Sequence, residues 1–443
     1  MGDELVVLMG GRVAGILTRE RNNLLRFDYD AAYRSDPDAT PISIGMPLAV
    51  GSHRDVPRYR GVTNVLHGLL PDDDAVIRRW CDHYQVRATS PFFLLGTPVG
   101  RDCAGAVSFC PPDELPELLG RGGGITWLSE SEIATLLADL RRDRANVLGR
   151  DFSGQFSLAG AQAKIALVHD PKTDRWGRPF GTEPTNRILK PAGAEWTDQD
   201  LNEHVCLDAA GRAGLVVARS EIRRFDDQEV IVSHRYDRSG SPPGTKRIHQ
   251  EDLCQAFGIG PDRKYESQGG PSVRAIAMLL RREMPPVDAE AAIQRFADAL
   301  IWNWLIAGTD AHAKNFSVLL AGPQVRLAPL YDVSSMLPYV GAPSPVDDVV
   351  IEERRIRSAM KLGGRDDLVP VTNPWPRVAA ELGLDPDQSA ERARTLADIA
   401  PDAIAAAAAE PSIATLQSPV VRDLVERVAE RSVQCKAVLA RSS

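Results

Sequence analysis

None of the six cysteines (Cys81, Cys103, Cys110, Cys206, Cys254, Cys435) falls in a CxxC pair or a metal-finger spacing, so reduced thiols are expected rather than a disulfide framework. No stretch of the chain approaches the ~20 apolar residues that span a bilayer. The alanine run Ala403–Ala409 is short and ends at Glu410, which suits a packed helix. The opening "MGDELVVLMGGRVAG" lacks a basic start ahead of a long apolar core, so no secretory signal is expected. Basic excess is also missing. A net charge of −8 argues against a protein whose main task is gripping phosphate backbones. What remains is 43% hydrophobic and 25% charged residues, too apolar for disorder and normal for a globular, cytoplasmic protein. At 443 residues, two to four domains are expected.

Short β-type stretches fill the first hundred residues. "LVVLM" (Leu5–Met9), a Gly10–Gly11 turn, "VAGILT" (Val13–Thr18) and "LLRFDY" (Leu24–Tyr29) read as a hairpin and a third strand, with "ISIGMPL" as another. "DDDAVIRRWCDHY" (Asp72–Tyr84) has helical spacing behind an acidic start, and "CAGAVSF" returns to strand character. "PPDELPELLGRGGG" (Pro111–Gly124) reads as a boundary or long loop. A helix at about Glu130–Leu140 follows, then strands in "AKIALVHD", "RILKP" and "EVIVSH", with an amphipathic helix over Leu201–Leu215. From about Glu251 the pattern is mostly helical. The reading divides the chain at 1–110, 111–150 (linker and helix), 151–245 (nucleotide-binding region) and 246–443 (helical, with the catalytic loop and a hairpin).

The segment "GTDAHAKNFS" (Gly308–Ser317) places an Asp, a His, a Lys and an Asn between the apolar stretches "IWNWLIA" and "VLLA". Beyond it, Phe316–Ala321 and Val325–Tyr331 are joined by a Gly-Pro turn, a hairpin signal. Folding the hairpin brings its ends together at one edge, roughly 5 Å apart. Asn315 precedes the first strand, Asp332 follows the second, and Asp310 lies in the preceding loop. Carboxylate and amide oxygens suit Mg²⁺. An Asp, an Asn five residues on and a later Asp is the arrangement by which kinases position the acceptor hydroxyl and hold Mg²⁺ against phosphates. His312 could orient the loop, or simply pack, and Lys314 could neutralise phosphate charge. A polar capping loop is the plain alternative for the whole segment.

Small residues around Gly160 in "SLAGAQAKIAL" (Ser157–Leu167) allow backbone amides to approach a polyanion, although the stretch is neither a Walker A nor a GxGxxG loop. Lys190 ends the strand "RILK" as a kinase phosphate-pairing lysine does. Glu203, on a helix thirteen residues further, is its candidate partner or an ordinary helix carboxylate. "VIVSH" (Val230–His234) is the candidate hinge strand for adenine, while Arg235 and Asp237 could instead form a structural salt bridge.

Taken in order, "HGLLPD", "GRDCAGAVSF", "FSLAGAQAKIAL", "ILKP", "NEHVCLDAAGRAGL", "RYDR", "QEDLCQAFGI", "GTDAHAKNFS" and "LAPLYDV" resemble the HipA family of serine/threonine kinases, the toxins of HipBA-type toxin–antitoxin modules. The resemblance runs from about residue 5 to about 410. It implies an α+β, bilobal, protein-kinase-like fold with a mixed α/β N-terminal part and an all-helical C-terminal subdomain. It implies Asp310 as catalytic base, and Asn315 and Asp332 as Mg²⁺ ligands. ATP contacts are implied at Ala159, Gly160, Ala161, Gln162, Ala163, Lys164, Lys190, His234, Arg235, Tyr236, His312, Ala313, Lys314, Asn315, Tyr331, Asp332 and Val333. Ser157 matches the family's autophosphorylated serine, whose modification silences the kinase; a hydroxyl capping the loop turn is the alternative. Ala163, His234 and Tyr236 depart from the family's usual residues.

Implied partners are a helix-turn-helix antitoxin of HipB type, operator DNA through that antitoxin only, and an aminoacyl-tRNA synthetase, the glutamyl enzyme by resemblance, as protein substrate. Two other readings stand beside this one. A degenerate kinase fold could serve only as co-repressor, but Asp310, Lys190 and Asp332 are all present. A small-molecule kinase would share the Asp-x-x-x-x-Asn loop and leave the N-terminal region and the "AGAQAK" stretch unexplained.

Overall fold

In the computed structural model, which describes residues 2–87, 90–147, 155–160, 162–193 and 196–441, Gly10 and Gly11 adopt φ values of 58° and 85°. Such left-handed values suit the tight turn of a twisted hairpin, and here they join β1 (Glu4–Met9) to β2 (Arg12–Arg19). With β3 (Leu25–Tyr29), β4 (Ser52–Arg54) and β5 (Val107–Cys110) they form an antiparallel sheet in the order β4-β3-β2-β1-β5. The alternation of β1 sends Leu5, Val7 and Met9 into the main core. Val6 and Leu8 join Cys110 on the opposite face, where Leu115 and Leu118 pack over them. Those leucines belong to a helix, Leu115–Arg121. The run Pro111–Gly124, expected as a boundary or loop, therefore closes the sheet's second apolar face.

The "ISIGMPL" segment forms no strand. Only an isolated Ser43–Met46 bridge is present. Its donors are used elsewhere: Ile42 N donates to the Tyr29 hydroxyl at 2.8 Å and Ile44 N to Glu251 Oε1 at 2.7 Å.

A second antiparallel run places β10 (Gln228–His234), β9 (Arg187–Lys190), β7 (Ile165–Asp170), β8 (Arg175–Gly181) and β6 (Gly123–Leu128) side by side in that order. The expected helix is Glu130–Arg142, opened by a Ser129–Glu132 capping box, and it buries Ile133, Leu137 and Leu140. A third sheet pairs β11 (His249–Asp252) with the hairpin β12 (Ser317–Ala321) and β13 (Gln324–Leu327), as the Gly-Pro turn predicts.

By contacts the chain forms two units: Met1–Pro191, Arg224–Arg263 and Ser317–Arg326 in the first, and Ala192–Arg223, Lys264–Phe316 and Leu327–Ser443 in the second. Residues 111–147 fall in the first unit.

Within the first unit the stretches "GRDC" and "RYDR" meet in a buried ionic cluster. Asp102 is 2.9 Å from Arg238, 3.3 Å from Arg235 and 3.2 Å from Arg247. Asp237 sits 2.8 Å from Arg235 and 2.9 Å from Arg238. Burial pushes the Asp102 carboxyl up, and the Arg238, Arg235 and Arg247 guanidiniums overcome that and hold it well below the carboxylate range. Desolvation, then repulsion from Arg235, lowers Arg238 to about 10. The side chain of Arg235, an expected ATP contact, directs its donors into this cluster, to Asp102, Asp237, Thr185 and the Cys103 carbonyl.

The second unit is chiefly helical, built from Gln199–Arg212, Val273–Glu283, Pro286–Leu305, Trp375–Leu382, Pro386–Ala408 and Pro419–Ala440. It carries one two-stranded hairpin, β14 (Arg357–Leu362) with β15 (Arg365–Asp367), where only helices were expected. Among the described residues no helix is long and apolar enough to cross a membrane.

Candidate active site

The helix Pro286–Leu305 is apolar around most of its C-terminal half, with Ala299 to Leu305 all buried, so its end is fixed deep in the second unit. Its last carbonyls would be left without partners, as at any helix end. Arg431 supplies donors: its guanidinium reaches Trp304 O at 3.0 Å and Leu305 O at 3.1 Å, and pairs with Glu353 at 2.9 Å. Asn303 then turns the chain, accepting Gly308 N at its carbonyl at 2.7 Å. A Cβ at Gly308 would lie 2.3 Å from Asn303 Oδ1 and 3.2 Å from Ser334 O, so the polar loop begins where only glycine fits.

From this anchored point the chain presents Asp310, with its side chain 53% exposed. His312 is buried, its Nε2 3.4 Å from Asp310 Oδ1. The Asn315 amide nitrogen donates to the Asp310 carbonyl at 2.6 Å and reaches its Oδ2 at 3.4 Å, which turns the amide oxygen the other way. Burial, against the pull of Asp310, pushes His312 below its ordinary value, and Asp332 adds a smaller upward pull.

Tyr331 closes the arrangement by donating to the Lys314 carbonyl at 2.8 Å. Asp332 itself adopts φ 55°, a left-handed value that costs energy for a residue other than glycine. Its neighbours over-determine the backbone. Leu330 N bonds Val216 O at 2.9 Å, Ala218 N bonds Leu330 O at 2.8 Å, and Ser335 exchanges bonds of 3.1 and 2.8 Å with the Asn202 side chain. Asp310, Asn315, Asp332, His312 and Lys314 therefore come together in the second unit. Ala313 and Val333 are buried beside them.

The residues expected on the phosphate side lie in the first unit. Lys190 ends β9. Ile165 pairs with Leu189, so Lys164, one residue before, sits at the same end of the sheet as Lys190. Both lysines are buried, at 7% and 6% exposure, which favours an anion nearby. Lys164 Nζ bonds the Ala159 carbonyl at 2.6 Å, and a Cβ on Gly160, at φ 105°, would sit 2.6 Å from that ammonium. Gln162 Nε2 is buried with no hydrogen-bond partner among the described residues. Ala161 lies outside the described residues, and Ala163 lines a small pocket with Gly160, Gln162 and Lys164.

Ser157 is fully buried and donates to Leu69 O at 2.6 Å, while Asp72 N reaches Gly160 O at 3.3 Å. The "HGLLPD" stretch thus docks the loop, and the hydroxyl donates across to it and not within its own turn. His234 ends β10 opposite Arg187, and Tyr236 donates to Gln250. Glu203 is buried on the helix Gln199–Arg212 of the second unit, whereas Lys190 belongs to the first.

Two contributors were invisible in the sequence reading, Tyr265 and Arg431. "KYE" offered only an aromatic beside charges, and Arg431 only a basic residue on an amphipathic helix. The cysteines offer no chemistry: all six are buried and free of disulfides, and burial pushes the Cys103 and Cys435 thiols up to about 12.

The oxygen donors Asn315 and Asp332 fit a hard ion such as Mg²⁺, which takes one or two carboxylates and leaves positions for phosphate oxygens. The buried lysine pair and the unpartnered Gln162 amide fit a polyphosphate.

Comparison with known proteins defines the class first. The fold is that of HipA: the chain superposes on Shewanella oneidensis HipA, from a complex with HipB and operator DNA, with a TM-score of 0.75, covering 99% of this chain and 97% of that one at 22% identity. Residues 5–110 match the HipA N-terminal domain and 156–404 the HipA-like C-terminal domain. A Sinorhizobium fredii protein named as a kinase, Y4mE, is 32% identical over 438 residues, 97% of each chain. The serine/threonine-protein kinase toxin HipA of Shewanella oneidensis is 27% identical over 259 residues, 55% of this chain and 56% of its own. The chain belongs to the HipA family.

Proposed function

We propose that the chain is a Mg²⁺- and ATP-dependent protein serine/threonine kinase that acts as the toxin of a toxin–antitoxin module in the cytoplasm. The observation that carries the reading is the convergence of Asp310, Asn315 and Asp332, tied by the Tyr331–Lys314 bond and by Asn315 on the Asp310 carbonyl.

In this reading Asp310 accepts the proton of the acceptor serine as its oxygen turns toward phosphorus, a general-base role worth about 10²–10⁴-fold in rate. Asn315 and Asp332 would hold Mg²⁺, which when bound neutralises phosphate charge. Lys314 adds positive charge on the same loop, and neutral His312 fills the buried space behind it. Lys190, Lys164, Gln162 and the Gly160 turn would meet the phosphates, with the backbone of His234–Tyr236 on the adenine side. Modification of Ser157 would require the loop to leave the Leu69 carbonyl, and the added charge of about −1.5 to −2 would oppose its return to that buried position and repel phosphates bound beside it. That is a self-silencing device. The structural relative's complex with HipB and operator DNA supports a helix-turn-helix antitoxin as partner, and an acidic chain would reach DNA through it. The protein substrate is taken to be an aminoacyl-tRNA synthetase, of glutamyl type by family resemblance.

The test is incubation of full-length protein and Asp310→Asn with Mg²⁺ and γ-labelled ATP, followed by mass spectrometry. Label on Ser157 in the native chain and none in the variant is expected. Absence of label and of ATP binding, in protein shown to be unmodified beforehand, would overturn the enzyme and leave a co-repressor.

A further inference from the structure

The Tyr265 hydroxyl donates to Asp310 Oδ1 at 2.7 Å. The segment that carries it is fastened to the loop it serves: Ala313 N bonds the Lys264 carbonyl at 3.1 Å. Tyr265 itself sits at the start of a tight turn, its carbonyl accepting from Gln268 N and Gly270 N, each at 2.9 Å. The next residue, Glu266, takes Lys361 N of β14 at 2.7 Å. The tyrosine ring stands edge-on to His312, with centroids 5.0 Å apart and planes at 86°, and Lys264 Nζ lies 5.6 Å from its centroid. Backbone and ring are both held, so the hydroxyl is presented at a fixed point.

An aspartate as exposed as Asp310 has several rotamers open to it, and a general base must be within hydrogen-bond reach of the proton it takes. Asn315 Nδ2 engages the backbone carbonyl and, at 3.4 Å, Oδ2. Among the described residues Oδ1 would otherwise have only His312 at 3.4 Å. The 2.7 Å bond from Tyr265 is the shortest contact that the carboxylate makes among the described residues, and it leaves lone pairs on both oxygens for an acceptor hydroxyl. Tyr265 and Thr309 also wall an open cavity of about 470 Å³ formed with Met336, Arg355, Arg357 and Ser358. The tyrosine therefore stands where a protein acceptor has room to approach the loop.

We infer that Tyr265 is a positioning residue that fixes the Asp310 carboxylate for proton transfer from the acceptor hydroxyl. The inference rests on the kinase reading above and adds a residue to it.

The experiment compares full-length native protein with Tyr265→Phe, starting from unmodified material, by the rate of γ-phosphate transfer to Ser157 across ATP concentrations and by thermal midpoint. Losing one hydrogen bond to a charged group should slow transfer at saturating ATP about ten-fold. The ATP concentration for half-maximal rate should stay within about two-fold and the thermal midpoint should hold, because phenylalanine keeps the ring against His312. An unchanged rate in the variant, or a rate that falls together with ATP affinity and melting temperature, would overturn the positioning role while leaving the kinase standing. No transfer by the native protein would instead overturn the kinase reading, and the inference with it.

Discussion

The Tyr331 hydroxyl donates to the Lys314 carbonyl at 2.8 Å, so the residue before Asp332 is fastened to the residue before Asn315. Two candidate metal ligands that lie on either side of the β12–β13 hairpin are thereby held in one place by a bond that neither of them makes.

Tyr331→Phe should loosen that tie. The fold should lose about 1 kcal/mol, the usual net worth of one hydrogen bond. The more telling effect is a higher Mg²⁺ concentration for half-maximal phosphate transfer, read in a Mg²⁺ titration at fixed ATP. A Mg²⁺ dependence equal to that of the native chain would show that the hairpin alone sets the spacing.

Arg431→Met should destabilise the second unit by about 3 kcal/mol, since it leaves buried helix-end carbonyls and Glu353 without their donor. Thermal melting would show it, and slowed phosphate transfer should accompany it because Asp310 is launched from that helix end. A fall of less than about 1 kcal/mol would mean that water or a neighbour satisfies the carbonyls.

Asp102→Asn keeps the shape of its side chain and removes the charge that Arg235, Arg238 and Arg247 share. Breaking a buried ion cluster from one side costs about 3–5 kcal/mol. The variant should therefore melt well below the native protein, or fail to accumulate. Asp102→Asn combined with Arg238→Met should recover part of the loss, because one stranded cation is gone.

Acid should weaken the first unit through His249. Ala106 N can only donate to its Nδ1, at 3.3 Å, and Ile42 O can only accept from its Nε2, at 2.9 Å, so the pocket fits the neutral ring. Burial lowers the ring's value to about 4. The unfolded chain takes up the proton near pH 6.5 while the folded chain refuses it until about 4, so the unfolded state binds more protons in that window. The stabilisation is complete above about pH 6.5 and is lost as the pH falls toward 4, roughly 3 kcal/mol in all. Denaturant melts at stepped pH should show the slope, and His249→Gln should flatten it. An equal slope in the variant would assign the acid sensitivity to other groups.

Much of this protein was legible along the chain. Strand and helix periods located most elements, since alternation and helical spacing depend on neighbours a few residues apart. Asp310 and Asn315 could be read together because they share one loop, and Asp332 because a Gly-Pro hairpin must return its ends to one edge. The misreadings have a physical cause as well. "ISIGMPL" has strand composition, yet its donors go to Tyr29 and Glu251. The Pro111–Gly124 run punctuates like a linker, yet its leucines cover an apolar face that β1 presents together with Cys110.

The sequence by itself determined the candidates for accepting a proton, holding a hard cation and meeting phosphates, because residue type and short spacing set that chemistry. Only the tertiary structure decided how those groups are held: Tyr265 reaches Asp310 across 45 positions and Arg431 reaches Leu305 across 126. Pairings at such separations come from packing of whole helices and turns, and no local pattern encodes them.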